Sequence, residues 1–243
     1  MGLIRLLGVL VTALVLTWTV HYRGGLALVS ANKDLIFNAH PVLMVIGLVL
    51  VNGEGNYPFS ALLALLVCEF IYVGEEMINQ ENVDLVSFSF LDTDKRTLSN
   101  CESNSLIGFW AALKFHNDKG IDNFYSLHSW LGLACLFLFS VQWASGFVTF
   151  WYPGGSRNSR ATLLPWHVFS GVYIYALSVA TATTGILEKV TFLQTNNVIS
   201  RYSTEALLVN SLGILMIVLG GFVVLASVTS LNSKGDIPRN ATE

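Results

Sequence analysis

Five histidines stand at positions 21, 40, 116, 128 and 167, and three of them, His40, His128 and His167, fall within long apolar runs. An ionisable side chain in lipid is costly, so such a residue marks a functional site by default. Cofactor ligation, proton relay and plain hydrogen bonding between helices are the competing roles. Neutral imidazole ligates haem iron well, and facing helices of a bundle are a usual place to hold it. Zinc fits less well, because no three or four ligands cluster in the sequence.

The neighbours of these histidines repeat. Gly132 follows His128 by four, Gly171 follows His167 by four and Gly47 follows His40 by seven, spacings that share one helical face. Glycine beside an axial histidine leaves space for a flat macrocycle, and it is also a common packing residue between membrane helices. Trp130 and Trp166 adjoin His128 and His167 and are candidates to pack on a ring system. Trp18, Tyr22, Phe124, Tyr125, Trp151 and Tyr152 fall at the ends of apolar runs, as an interfacial belt does.

The elements that must position the histidines are membrane helices. Of the 243 residues, 53% are hydrophobic and 12% charged, well under the roughly 25% charged of a soluble domain. A bilayer core needs about 20 apolar residues per span. Residues 35–53, 124–152, 161–187 and 206–231 contain no Asp, Glu, Lys or Arg and are long enough, while 6–22 reads as a shorter fifth span or as a cleaved signal segment. His40 and His128 lie at similar depth in spans that enter from the same side, so they can face one another; His167 sits near the opposite face without a matching histidine. Arg157 and Arg160 occupy a loop that lacks acids, which the positive-inside rule assigns to the cytoplasm, and six spans then put both termini there.

Residues 56–105 break the pattern. They hold Glu69, Glu75, Glu76, Glu81, Asp84, Asp92, Asp94 and Glu102 against Lys95 and Arg96, a local balance of −6 against +3 for the remainder. Residues 79–105 are expected outside the bilayer and loosely ordered, and 106–115 make about half a span. The fold class is therefore all-α: one polytopic membrane bundle over residues 1–243, with five clear spans, a degenerate third span and an atypical acidic insert at 56–105. Cys68, Cys101 and Cys135 show no metal-ligand spacing. No basic patch supports nucleic-acid binding, and the charge-free spans argue against an ion-coupled transporter.

FNAHPVLMVIGLVLVNGEG around His40, FYSLHSWLG around His128 and RATLLPWHVFSG around His167 resemble the signature segments of the plant cytochrome b561 family. The resemblance covers residues 1–55 and 106–243. It implies six membrane helices and two haem b groups, each held by two histidines, carrying electrons from cytoplasmic ascorbate to monodehydroascorbate or ferric chelates. His40 and His128 match the ligands of the non-cytoplasmic haem and His167 one ligand of the cytoplasmic haem. Arg160 matches a residue near the ascorbate site; Phe115, His116 and Tyr125 match positions around the acceptor site. Candidate partners are thus ascorbate, an acceptor of those two kinds, the lipid bilayer and a second copy of the chain. The expected location is a plant vacuolar, other endomembrane or plasma membrane.

The departure from the family pattern is at 56–105, where a fourth ligand histidine and loop lysines are expected and no histidine occurs between His40 and His116. Met77 is a poor substitute ligand. An isoform that is partly haem-loaded or non-catalytic is the alternative function.

Overall fold

A computed structural model describes residues 2–51, 93–152 and 154–235. Among them the chain forms six helices and no strand. Helix α1 (Gly2–Thr17) continues through wider π-type turns at Trp18–Tyr22, α2 (Lys33–Met44) through Val45–Val51, and α4 (Leu127–Gly146) through Phe147–Trp151. The others are α3 (Thr93–Lys119), α5 (Arg157–Thr195) and α6 (Thr204–Gly235). Gly2–Tyr22, Lys33–Leu50, Leu127–Trp151, Arg157–Thr195 and Thr204–Thr229 are long and apolar enough to cross a bilayer. These five spans follow the charge-free runs of the sequence.

The third helix is better formed than its composition suggests. Residues 93–105, expected to be loosely ordered, are the helical start of α3, and 106–115 continue it. Packing against α2 supplies what polarity withholds, since most helical stability in proteins comes from tertiary contact. Gly108 lets α3 approach closely: a Cβ there would stand 3.2 Å from Leu43 Cβ. Asn104, Ser105 and Ala111 are buried along the same helix. The rest of the acidic stretch, including Met77, lies outside the described residues.

Two helix ends also move. Phe124 adopts φ +57°, so the chain turns there, and Ser126 caps α4 by accepting the Ser129 N–H at 3.2 Å. Helix α5 runs past residue 187 to Thr195.

The first apolar run is a member of the bundle, packed against α6. Val11, Val15 and Trp18 are buried, and the Trp18 indole donates to Glu205 Oε1 at 2.9 Å. Trp18 is thus an interior residue, not a belt residue. Arg23 closes the α1–α6 contact by gripping Glu205, with Nε donating to Oε1 at 2.6 Å and a guanidinium nitrogen on the other oxygen. Removing one partner of such a buried pair costs about 3–5 kcal/mol, because the other charge is stranded.

The α1–α2 turn is folded toward the site. Gly24 and Gly25 take φ +81° and +110°, conformations that suit residues without a Cβ. Asn38 then donates to the Arg23 and Gly25 carbonyls at 3.1 and 2.7 Å. This fixes the turn two residues before His40. Hydroxyls within spans are satisfied internally: Thr12, Thr19, Thr181 and Ser227 each donate to the carbonyl four residues back.

Candidate functional site

His40, seven residues into α2, and His128, in the first turn of α4, meet across the bundle with ring centroids 6.0 Å apart and planes at 80°. Each ring is held by the same device. His40 Nδ1 lies 2.9 Å from the Gly108 carbonyl of α3, and His128 Nδ1 lies 2.9 Å from the Thr181 carbonyl of α5. A carbonyl can only accept, so Nδ1 carries the proton and Nε2 is left with its lone pair, the tautomer a metal ligand needs. A metal between two imidazole nitrogens at about 2 Å each separates the ring centroids by roughly 6 Å. The pair therefore fits a bis-imidazole ligand set.

The glycines that crowd the imidazoles are supplied by the opposite helix. A Cβ at Gly185 of α5 would lie 2.6 Å from His128 Cε1, and one at Gly146 of α4 would lie 2.7 Å from His167 Cε1. Gly146 follows His128 by 18 residues and Gly185 follows His167 by 18. Eighteen residues are five full helical turns, so each helix carries a histidine and a glycine on one face, and the antiparallel pair exchanges them. The glycines four residues after the histidines do different work: a Cβ at Gly132 or Gly171 would meet Thr181 Cγ2 at 3.7 Å or Gln142 Nε2 at 3.3 Å. They pack α4 on α5, although Gly132 also lines the cavity between His40 and His128.

The exchange is not symmetric in its polar details. Thr181, four residues before Gly185, offers its carbonyl to His128. Gln142, four residues before Gly146, instead donates from its side chain to the His167 carbonyl at 2.6 Å and accepts from Ser170 at 2.6 Å. His167 Nδ1 is buried without a hydrogen-bond partner, and the Phe150 ring stands edge-on to the imidazole at 5.5 Å. No second histidine faces His167, since His21, His40, His116 and His128 are all placed elsewhere. Along α5 the rise from His167 to Gly185 is roughly 27 Å, so the two histidine sites stand near opposite ends of the α4–α5 pair.

A cavity of ≈ 210 Å³ opens beside the first pair. It is lined by His40 and His128 and also by Phe115, His116 and Tyr125, so the structure brings these five sequence candidates together. Phe115 is buried and packs on Phe37 at 4.8 Å. Burial pushes the Tyr125 phenol up, and the Glu188 and Asp122 carboxylates push it further; at neutral pH it is a hydrogen-bond donor. Arg160 stands seven residues before His167 with Nε donating to the Gly155 carbonyl at 3.0 Å. Trp130 and Trp166 are 64% and 69% exposed. Cys135 is buried packing.

This arrangement defines a multi-pass membrane bundle with an internal imidazole pair contributed by different helices. A model of the family described as eukaryotic cytochrome b561 matches residues 99–193. The chain is 60% identical over 234 residues to transmembrane ascorbate ferrireductase 2 of Arabidopsis thaliana, covering 96% of this chain and 93% of that protein. It is 40% identical over 222 residues to ascorbate-specific transmembrane electron transporter 1 of Zea mays, covering 91% and 85%. Over 223 residues it is 33% identical to the plasma membrane ascorbate-dependent reductase CYBRD1 of Xenopus laevis, covering 90% and 70%. The chain belongs to the cytochrome b561 family.

Proposed function

We propose that the chain is a transmembrane haem-b oxidoreductase that takes electrons from cytoplasmic ascorbate and delivers them across the membrane to monodehydroascorbate or a ferric chelate. The observation that carries this reading is the His40–His128 pair, with two imidazoles 6.0 Å apart and both Nδ1 atoms engaged by backbone carbonyls. The names of the relatives support the donor and the reductase activity.

His40 and His128 would hold one haem b, which supplies reversible one-electron chemistry when bound. The protein's part is to fix the tautomer of both ligands, to crowd His128 with Gly185 so that its ring keeps one orientation, and to shield the pair among apolar helices. Phe115, His116 and Tyr125 line the approach for the acceptor, and Tyr125 offers a proton on oxygen for hydrogen bonding. At the other face His167 supplies one ligand, and Arg160 stands ready for the anionic donor. In this reading Arg157 and Arg160 are cytoplasmic, as are both termini, and the membrane is an endomembrane or plasma membrane.

A second reading has a specific observation behind it. His167 Nδ1 has no partner and no histidine of this chain faces it, which favours a protein that loads fully only at the His40–His128 site. Vesicles loaded with ascorbate and carrying the purified protein separate the two. Transmembrane transfer predicts that external ferric citrate is reduced to Fe(II) well above the rate of protein-free vesicles. A rate no greater than that background contradicts it, and ascorbate-reducible haem without external Fe(II) favours the one-site protein.

A further inference from the structure

The stretch of α2 that carries His40 is weakened as a helix. Pro41 follows the ligand and has no N–H to give the Phe37 carbonyl, and beyond Met44 the chain passes into the wider turns of Val45–Val51. Ile36, Ala39, Val42 and Leu43 are buried around it, but apolar burial is non-directional. The rotation of α2 about its own axis therefore needs a polar tie.

Asn38 supplies it. The residue is 4% exposed, and two residues turn a helix by about 200°, so Asn38 and His40 leave α2 on opposite faces. Its amide nitrogen donates to the Arg23 carbonyl at 3.1 Å and to the Gly25 carbonyl at 2.7 Å, which engages both amide hydrogens. Those two carbonyls converge because Gly24 and Gly25 hold φ +81° and +110°, values that disfavour a side chain. The turn is anchored in its own right. The Gly25 N–H donates to the Thr19 carbonyl at 2.9 Å and the Ala27 N–H to the Leu35 carbonyl at 3.1 Å, while the Arg23 side chain grips Glu205 of α6. Helices α1 and α6 contribute neither member of the imidazole pair, yet through this turn they bear on one of them.

We propose that Asn38 is the positioning residue of the His40 ligand: by bridging the Arg23 and Gly25 carbonyls behind α2, its amide fixes the rotation that presents the imidazole to His128 and to the Gly108 carbonyl. A rotation at Asn38 is carried to His40 two residues on, and the tie from His40 Nδ1 to Gly108 O, 2.9 Å long, tolerates little of it. The inference rests on reading His40 as a haem ligand. Asn38 touches neither iron nor substrate and acts through His40.

The test uses the full-length protein in detergent with two variants that break the tie from its two sides. Asn38→Leu has a similar shape and no donor. Gly25→Ala leaves Asn38 in place and acts on the acceptor: a Cβ there meets nothing within 4 Å, so its strain lies in φ +110° alone. Each is expected to weaken haem binding at the His40–His128 site about tenfold, the low end of an outer-shell loss. Each is also expected to shift the ferric low-spin EPR g values, which report the angle between the ligand planes, 80° here. Val11→Ala, at a buried α1 position, controls for lost stability; its melting temperature is expected to fall while haem affinity and g values stay at wild type. Wild-type affinity and g values in Gly25→Ala overturn the proposal. So does a Val11→Ala protein that shifts both as far as Asn38→Leu does, because the effect would then be general loosening. His40→Ala separates the underlying reading: a haem spectrum unchanged in that variant defeats the ligand assignment. Haem lost in His40→Ala but unaltered in Asn38→Leu and Gly25→Ala defeats this inference alone.

Discussion

His128→Ala is expected to remove one haem per protein and the low-spin absorbance of that centre, leaving a chain that no longer passes electrons to external ferric citrate. The substitution deletes the imidazole, with the Nε2 left free to ligate, and frees the Thr181 carbonyl that fixed the ring. His40 then remains as a single ligand across a 6.0 Å gap between centroids. Loss of an outer-shell partner alone typically weakens a metal site about 10–100-fold, and loss of a ligand exceeds that. Trp130→Ala, a change two residues away on an exposed position, is the matched control and is expected to keep its haem. A haem-to-protein ratio and spectrum unchanged in His128→Ala would defeat the ligand assignment.

Gly185→Ala is expected to reduce haem occupancy of the same site by about 10–100-fold in affinity, by the outer-shell route. The new methyl group would fall 2.6 Å from His128 Cε1, 2.9 Å from Nδ1 and 3.1 Å from Nε2. No carbon contact is that short, so the imidazole must swing. It cannot swing and keep Nδ1 at 2.9 Å from Thr181 O, because Thr181 and Gly185 are adjacent turns of one helix. The variant therefore loses ring orientation and tautomer together while the helix itself gains a residue of higher helix propensity. The expected signature is a protein that unfolds near the wild-type temperature but binds haem weakly and partly high-spin. Gly221→Ala, where a Cβ meets nothing within 4 Å, is expected to leave the spectrum alone. Equal haem affinity in Gly185→Ala and wild type would show that the close approach has no part in holding the ligand.

The imidazole pair was legible because lipid penalises ionisable groups: His40 and His128 stand out of apolar runs, and counting residues from each span end sets them at one depth. Their contacts beyond the pair were less legible. Gly185 lies 57 residues from the ring it crowds, and the local i+4 pattern draws attention to Gly132 instead, whose nearest neighbour is Thr181. The signal that finds Gly185 and Gly146 is the shared interval of 18 residues in two consecutive spans. It reads as chance until both helices are known to run antiparallel and in contact.

Polarity hid α3 for a related reason. Its hold on α2 comes from a few small and aromatic positions, Gly108, Ala111 and Phe115, which composition averages away against the acidic residues upstream. Trp18 misled in the opposite direction, since a tryptophan at a span end fits an interfacial belt, and only Glu205, 187 residues along the chain, explains its burial. Lys189, which lines the cavity beside the imidazole pair, follows the charge-free run of α5 by two residues, where a lysine ordinarily reaches for water. Its neighbours Phe37 and Phe115 come from α2 and α3.

The haem-to-protein ratio and ferric spin state of purified His167→Ala test the central claim most directly, because that variant isolates the His40–His128 site. The account predicts one haem per chain, six-coordinate and low-spin, since both ligands and both carbonyl anchors are untouched. A protein without haem, or with only five-coordinate high-spin haem, would contradict it.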